Sequence, residues 1–438
     1  SDYKGVAYAR KFPDARRVAE RVSPFGRIEV YASSYLHFAP GLSDNAAFNL
    51  PEMPKDAYLG LYVDGEGPNG IIRRLDAGQT AYFRYLPMVY PYLLKEKPET
   101  FVVQFGGGIS TALALASGSR KVTVAESNPA ILDAFRTEPA LVAFTGDVLR
   151  DPRVEVIDYD GRLFLGHTDR RFDVVDLSLA DSAGLSSPGG FAIHEKFAYT
   201  REAFASYMRA LADGGILSVT LWNKEEPPKS VHKLYATMAA AAGDVDPATR
   251  AKSFFAVSTY LSTTTVLYRR GGFSAADIER LRAHSKAMSF DEIVAPDLAV
   301  DRSGAEKLLA DYRAQIFSAG PSATDVPPGG AETDAPGDGP VVMPSTTLAR
   351  LAWDALLRGG WEEFSRAYVF DTRELTNDRA YFAAYVKPHD LLSVTDRLEI
   401  LQDEWGYLLL WATLGVACVA ALILDAFPVV FGWRTIFS

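Results

Sequence analysis

The sequence predicts an α/β protein, and three patterns lead to that prediction. From Phe101 to about residue 270, short apolar runs that are typical of buried strands alternate with helical runs. This alternation indicates a parallel sheet covered by helices on both faces. Before it, short β-rich runs separated by Gly, Pro and Asn predict a small antiparallel β unit. Near the C-terminus, a long uncharged run predicts a transmembrane helix.

Composition excludes several classes of protein. The 438 residues suggest two or three structural units. A net charge of -10 argues against a general nucleic-acid binder, because phosphate contacts need clustered Lys and Arg. The single cysteine, Cys418, excludes a disulfide framework and a thiolate metal site, and it fits a reducing compartment. The six histidines are scattered without ligand spacing, so no metal is expected.

The β unit, residues 1–85, is predicted from the runs RIEVYAS, YLGLYV and GIIRRL. In the main domain, residues 86–270, strands are predicted at FVVQF, KVTVAE, VEVI, FDVVDLS and GILSVTLW. Asn128-Pro129 is a cap and first-turn pair that opens the helix PAILDAF. A helix from Thr200 places Phe204, Tyr207, Met208 and Leu211 on one face. SFFAVS and TTTVLYRR are expected to pair at the edge of the sheet.

The C-terminal part is divided into four segments. Residues 271–318 form a helical extension that opens with a capping box from Ser274 to Asp277. Residues 319–345 are rich in Pro, Gly and acids, which predicts a flexible linker. Residues 346–404 return to a mixed helical pattern, and residues 405–433 are predicted as the transmembrane helix because 406–424 carry no charge. The alternative for that run is a buried core helix.

The two ends of the chain add an expectation about its context. The sequence starts without Met or a signal-peptide pattern and stops just after the apolar run, so we expect a fragment of a larger protein. Six basic residues against two acidic ones between Lys4 and Arg21 predict that the soluble domain faces the cytoplasm, if a membrane helix precedes it.

The first motif with a chemical meaning is Gly106-Gly107-Gly108, between the first strand of the main domain and a helix. Glycines there let backbone N–H groups approach a ligand, although they also suit a simple tight turn. The next strand ends in Glu126, 18 residues after Gly108. An acidic residue at that place can accept hydrogen bonds from both ribose hydroxyls. The combination predicts an adenosine-bearing ligand.

Two further strands end in candidate site residues. Asp160-Gly161 follows the third strand, where a carboxylate would reach the crevice of an α/β sheet, although the pair also suits a structural turn. The fourth strand is expected to end near Ser178, which leaves Asp181 in the loop above the crevice. A carboxylate there could hold an amine or take its proton, the alternative being a solvated loop residue. Asp176 lies in mid-strand and has no assigned function.

These motifs, in this order, resemble the spermidine synthase (polyamine aminopropyltransferase) family over roughly residues 22–270. The resemblance is carried by SPFGRIEVYAS, LYVDG, QFGGG, VTVAESNP, and DPRVEV with Asp160-Gly161. It implies an S-adenosylmethionine-type Rossmann domain that binds S-adenosylmethionine or its decarboxylated form through Gly106, Gly107, Gly108, Glu126, Asp160, Gly161 and Ser178. LSLADS and LTNDRAYF further resemble bacterial proteins in which such a domain is fused to membrane helices. That implies the bacterial inner membrane, with the bilayer and further membrane helices as partners.

The sequence departs from the family at three places. Gly-Gly-Gly-Asp-Gly becomes Gly106–Ser110, with Ile109 in place of the Asp. The loop Asp-Ser-Ser-Asp becomes Ser178–Asp181, which leaves Asp181 as the candidate base. Tyr-His-Glu becomes Tyr82-Phe83-Arg84. Three hypotheses stay open: an aminopropyltransferase that acts on a small amine, a methyltransferase that acts on another small acceptor, and a nucleoside-sensing or structural domain of a membrane protein.

Overall fold

The computed structural model describes residues 4–36, 38, 40–179, 195–224, 227–259, 261–318, 343–387, 390 and 405–426. The strands are β1 Arg16–Ser23, β2 Gly26–Ala32, β3 Tyr58–Val63, β4 Glu66–Ile72, β5 Glu99–Val102, β6 Lys121–Ala125, β7 Val154–Ile157, β8 Phe172–Ser178, β9 Leu211–Trp222, β10 Phe254–Thr259, β11 Thr263–Arg269 and β12 Asp291–Val294.

The α-helices are α1 Gly5–Lys11, α2 Ala46–Asn49, α3 Tyr90–Leu94, α4 Ile109–Ala116, α5 Pro129–Thr137, α6 Pro139–Thr145, α7 Gly161–His167, α8 Arg201–Arg209, α9 Ser230–Val245, α10 Ala275–Met288, α11 Arg302–Ser318, α12 Pro344–Arg358, α13 Trp361–Ala367 and α14 Trp405–Ala421. Short 3₁₀ helices lie at Thr80–Tyr85, Pro87–Val89, Val148–Arg150, Phe197–Tyr199 and Arg250–Lys252.

The N-terminal strands form an antiparallel sheet in the order β1-β2-β3-β4. Strands β3 and β4 form a hairpin whose turn holds Asp64 and Gly65 at positive φ, as tight hairpin turns require. Strand β1 was not predicted, because it is an edge strand in which only Ala19 is buried, so its sequence, RRVAERVS, shows no run of apolar residues.

The main sheet confirms the predicted Rossmann-like α/β fold. Its eight strands have the order β12-β10-β11-β9-β8-β5-β6-β7. Strands β5 to β9 run parallel, and β10 and β11 pair antiparallel as expected. The chain leaves β5 toward β6 and β7 and then crosses to β8 on the other side. The strand order therefore reverses between β5 and β8, which is where open α/β sheets have their binding crevice.

One predicted boundary was wrong. The helix that begins after Thr200 ends at Arg209, and Leu211 already belongs to β9 rather than to the helix face. Leu211 is paired with Phe172 of β8 and fully buried, so sheet pairing decides its conformation over the helical pattern.

Helix α12 packs on the main sheet, so residues 346–358 share its hydrophobic core. The fully buried Trp353 ring lies 4.9 Å from that of Tyr235 on α9 and 4.7 Å from that of Phe254 on β10. The predicted linker 319–345 lies outside the described residues up to 342, and α12 starts at Pro344.

The predicted transmembrane helix at 405–433 is wrong. Helix α14 has 17 residues, or about 26 Å at 1.5 Å per residue, against roughly 30 Å of hydrocarbon. A π-helical turn, Leu422–Ala426, follows it and includes Asp425. No helix among the described residues is long and apolar enough to span a bilayer. The alternative of a buried core helix is not observed either, because the side chains from Leu409 to Leu424 are exposed.

Candidate functional site

Four consecutive parallel strands deliver the predicted site residues to one edge of the main sheet. Gly106–Gly108 follow β5, Glu126 follows β6, Asp160 follows β7, and Ser178 is the last residue of β8. Because these strands are parallel, their carboxyl ends meet at the crevice where the strand order reverses. The folded chain therefore brings together residues that lie up to 72 positions apart.

The glycine loop is packed tightly against the N-terminal sheet. Gly106 and Gly108 have positive φ angles of 55° and 82°, and Gly108 caps the N-terminus of α4. A Cβ atom on Gly107 would lie 2.0 Å from the carbonyl oxygen of Gly70 on β4. Glycine is required here both for the left-handed backbone and for the close approach.

Glu126 is held between the glycine loop and the start of α5. Its side chain is 2% exposed. Oε2 accepts the N–H of Gly106 at 3.1 Å and Oε1 accepts the N–H of Asn128 at 2.9 Å. Burial raises the pKa of Glu126 to about 7, although the backbone hydrogen bonds oppose that rise. Each oxygen has a second lone pair, so the carboxylate can still accept two vicinal hydroxyls.

Asp160 caps the N-terminus of α7. Its Oδ1 accepts the N–H groups of Arg162 at 2.8 Å and Leu163 at 3.2 Å, which leaves Oδ2 unused within the described part of the chain. The next residue, Gly161, packs where a Cβ would lie 2.1 Å from the carbonyl oxygen of Val103. Asp160 therefore has a structural role as a helix cap rather than in a simple turn. Ligand binding by its second oxygen stays a prediction.

Ser178 is buried at the end of β8 and does not stand alone. Its Oγ lies 3.0 Å from Asp176 Oδ2 and 3.1 Å from Thr220 Oγ1. Asp176 is 2% exposed, and burial raises its pKa to about 6. Sequence reasoning gave Asp176 no function. The signal that could have drawn attention to it is an acidic residue in the middle of an otherwise apolar strand. Asp181, the predicted base, lies outside the described residues.

The positions that depart from the family have different surroundings. Ile109 is buried in an apolar cluster with Leu179 and Trp222. Phe83 belongs to the same cluster, whereas Arg84 is exposed. The apolar side chains of this cluster pack beside the N-terminus of α4, where Ile109 is the first helical residue.

Cavities of different size lie in the described structure. One of about 180 Å³ borders Gly107 and Gly108 and is lined by Arg73 and Arg74. A larger one of about 950 Å³ lies between α11, α12 and α13 and touches none of the predicted site residues. The larger cavity is therefore separate from the predicted site, which lies where the strand ends converge. Among the described residues, no group of three or more His, Cys, Asp or Glu side chains is arranged to hold a metal ion.

The fold and the crevice define a Rossmann-like α/β protein. Comparisons with known proteins show which proteins the chain resembles. The chain is 31% identical over 172 residues to a polyamine aminopropyltransferase of Nitrosomonas europaea, covering 39% of this chain and 50% of that protein. It is 28% identical over 139 residues to a polyamine aminopropyltransferase of Korarchaeum cryptofilum, covering 31% of this chain and 40% of the relative. The predicted resemblance to spermidine synthases is confirmed, although the chain spans half or less of the length of these relatives.

Alignments with solved structures are weaker. A spermidine synthase from Thermotoga maritima aligns with a TM-score of 0.37 at 14% identity, over 60% of this chain and 75% of that one. A probable spermidine synthase from Corynebacterium glutamicum aligns with a TM-score of 0.40 at 16% identity, over 63% and 86%. No protein-family profile matches the chain. None of these comparisons supports the narrower resemblance to membrane-fused proteins.

Proposed function

We propose that the chain is a transferase that takes an aminopropyl group from decarboxylated S-adenosylmethionine and gives it to a small amine. The observation that carries this proposal is the Glu126 carboxylate, fixed by the Gly106 and Asn128 amides at the end of β6. Similarity to polyamine aminopropyltransferases supplies the reaction class. The donor's adenosine would lie along Gly106–Gly108, with its ribose hydroxyls on Glu126 and its base near Asp160 and Gly161.

The reaction requires mainly that the protein positions the two reactants and provides a base. The lone pair of the acceptor nitrogen attacks the carbon next to the sulfonium, a C–N bond forms, and the C–S bond breaks with its electrons going to sulfur. The products are a secondary ammonium and a neutral thioether, and the acceptor gives up one proton in the process. Orientation of two bound reactants and removal of that proton are the protein's contributions. Asp181 remains our proposal for a residue that anchors the amine or takes its proton.

The acceptor is proposed to be less charged than a linear polyamine. Ile109, Ser178 and Phe83-Arg84 occupy places where the family has acidic or polar side chains. The loss of a carboxylate opposite an ammonium costs about 1.5–3 kcal/mol per contact. An acceptor with one ammonium group and an apolar body needs fewer such contacts, and Ile109 and Phe83 are apolar at two of these positions.

Methyl transfer from ordinary S-adenosylmethionine is the second candidate. The observation that favours it is Ile109, which is buried and apolar where an acidic side chain would hold the aminopropyl amine of the donor. The presence of Ile109 instead of that acidic side chain does not affect the proposed contacts between Glu126 and the ribose.

Isothermal titration separates these candidates when S-adenosylmethionine, its decarboxylated form and methylthioadenosine are compared. We expect the decarboxylated donor to bind at least tenfold more tightly than S-adenosylmethionine. Release of methylthioadenosine with a panel of primary amines then tests the transfer. Preference for S-adenosylmethionine, with methylation of an acceptor, would establish the second candidate. Binding of none of the three nucleosides would leave a structural domain without this chemistry.

A further inference from the structure

A buried carboxyl group lies directly behind the end of β8. Asp176 points to the same face of the strand as Ser178, because side chains two residues apart in a strand share a face. Its Oδ2 lies 3.0 Å from Ser178 Oγ. Its Oδ1 has no hydrogen-bond partner among the described residues. A buried carboxylate oxygen without a hydrogen-bond partner costs free energy, so this arrangement calls for an explanation.

A chain of hydroxyl groups connects this carboxyl group with the end of the strand. Ser178 Oγ lies 3.1 Å from Thr220 Oγ1 on β9, which lies 2.8 Å from Thr265 Oγ1 on β11. A hydroxyl has one proton to donate, and a carboxylate can only accept. Ser178 Oγ is placed to donate either to Asp176 Oδ2 or to Thr220 Oγ1, and its single proton makes one of these bonds at a time. Donation to Asp176 is favoured when that carboxyl group is ionised, because a charged acceptor makes the stronger hydrogen bond.

The surroundings of Asp176 are polar but almost free of charge. Tyr92 of α3 is the ionisable side chain facing it among the described residues, and burial together with Asp176 raises the pKa of that phenol. Helix α4 presents the Ser110 hydroxyl, which lowers the pKa of Asp176. Strand β5 presents Val102 and β9 presents Ser218, each opposite Asp176 in register. The Tyr92 hydroxyl and Ser218 Oγ also lack partners within the described structure.

We propose that Asp176 receives the proton released in the transfer reaction and that Ser178 relays it. This inference rests on the proposed function. As the acceptor ammonium approaches the end of β8, it gives a proton to Ser178 Oγ while Ser178 gives its own proton to Asp176 Oδ2. The neutral amine then attacks the donor carbon, the C–S bond breaks, and the thioether leaves. The carboxylic acid returns its proton to solvent after product release, so charge and atoms balance.

The titration of Asp176 fits this role. Burial raises its pKa to about 6, so the carboxyl group is ionised at neutral pH. Its pKa is also close enough to that pH for it to take a proton. Activity should rise with pH through about 6 and then level off.

Activity measurements on four variants test the relay. Asp176→Asn should lower kcat by about 10²–10⁴-fold, the range for loss of a general base, with donor affinity unchanged within twofold. Ser178→Ala should lower kcat and remove the rise of activity near pH 6, whereas Ser178→Thr keeps a hydroxyl and should retain both. Asp173→Asn is the matched control, because Asp173 lies on the opposite face of β8 and accepts the Glu99 N–H, as an Asn oxygen also can.

A spectroscopic measurement makes the test independent of turnover. In protein labelled with ¹³C at the Asp side-chain carboxyl groups, the Asp176 signal should titrate with a higher pKa in Ser178→Ala, because the donated hydrogen bond is lost. It should also shift when methylthioadenosine binds. A signal that responds to neither change, or Asp176→Asn with unaltered kcat and pH profile, overturns the inference. If Asp176 responds to both but no amine is converted, the proposed function fails and the connection between Asp176 and the crevice stands.

Discussion

At the scale of single residues, the Glu126 carboxylate is the group with the most direct bearing on ligand binding. We expect Glu126→Ala to weaken methylthioadenosine binding by roughly 10²–10⁴-fold, because two hydrogen bonds to a charged acceptor contribute about 3–6 kcal/mol. Isothermal titration gives the affinity. Glu279→Ala, on the exposed face of α10, is the control and should bind normally. Unchanged affinity in a folded Glu126→Ala protein would remove this residue from the site.

The raised pKa of Glu126 predicts a pH dependence of binding. Its pKa of about 7 in the free protein means that the carboxyl group is partly protonated at neutral pH. Ribose hydroxyls donate to the ionised form, so affinity should increase as the pH rises through about 7 and then level off. Isothermal titrations at one pH unit below and one above this pKa measure the change in affinity. A flat profile would show that the ligand does not contact this carboxylate.

The same carboxyl group has the opposite effect on stability, because its ionisation favours ligand binding but destabilises the ligand-free protein. A carboxyl group whose folded-state pKa is raised from 4.5 to about 7 stabilises the ligand-free protein fully below about 4.5. That contribution is lost as the pH rises through about 7, and it amounts to at most about 3 kcal/mol. Ligand binding and folding therefore favour different protonation states of Glu126.

His232 predicts a loss of stability in acid. It is fully buried beside the Tyr368 ring, and neither ring nitrogen has a partner among the described residues. Burial lowers its pKa to about 3, so the folded protein keeps it neutral. Its share of the stability is complete above about pH 6.5 and falls by about 1.4 kcal/mol per pH unit below that.

The measurement is urea unfolding at neutral pH and about 1.5 units below the ordinary histidine pKa. His232→Phe should lose about 2 kcal/mol less than the native chain over that range. His167→Phe, at an exposed position on α7, should behave like the native chain. Equal losses in all three proteins would show that His232 is hydrated in solution.

At the scale of elements, α7 offers a paired test of packing. Gly161→Ala would place a Cβ 2.1 Å from the Val103 carbonyl oxygen, so we expect it to lower the free energy of unfolding by about 1–3 kcal/mol. Gly166→Ala, in the same helix, meets nothing closer than 3.9 Å and should raise stability by up to about 1 kcal/mol. Urea denaturation measures both. Similar effects of the two substitutions would contradict the close contact between α7 and the Val103 carbonyl.

Elements were predictable where the local pattern and the tertiary environment agree. Strands β5, β6 and β8 are mostly buried on both faces, so their apolar runs are visible in the sequence. Strand β1 is an exposed edge, and edge strands are held by backbone pairing that leaves no apolar signature. The assignment of Leu211 failed for a related reason, since its pairing partner Phe172 is 39 residues earlier in the chain.

At the scale of the whole molecule, Trp353 connects helix α12 with the main sheet. Its removal in Trp353→Ala should lower the free energy of unfolding by about 3–5 kcal/mol, because a fully buried ring is lost between Tyr235 and Phe254. Urea unfolding gives this free energy when it is followed by circular dichroism, at a wavelength where tryptophan does not dominate the signal. Trp361→Ala, at a partly exposed position, should cost less. A loss below about 1 kcal/mol for Trp353→Ala would mean that α12 does not stay on the sheet.

The sequence by itself determined the α/β class, the antiparallel β unit, the motifs at the strand ends and the resemblance to spermidine synthases. These are local properties, since burial on both faces, helix caps and glycine turns each require particular residues within a few positions. The functions of Asp181 and of the individual site residues stay predictions.

Tertiary structure decided what depends on distant partners. The contact of the glycine loop with Gly70, the hydrogen bond between Ser178 and Thr220, and the place of α12 on the sheet join segments that are far apart in sequence. It also decided against the transmembrane helix: an uncharged run shows that a segment is apolar, but the length of its regular helix is set by the backbone, which changes to a π-helical turn at Leu422.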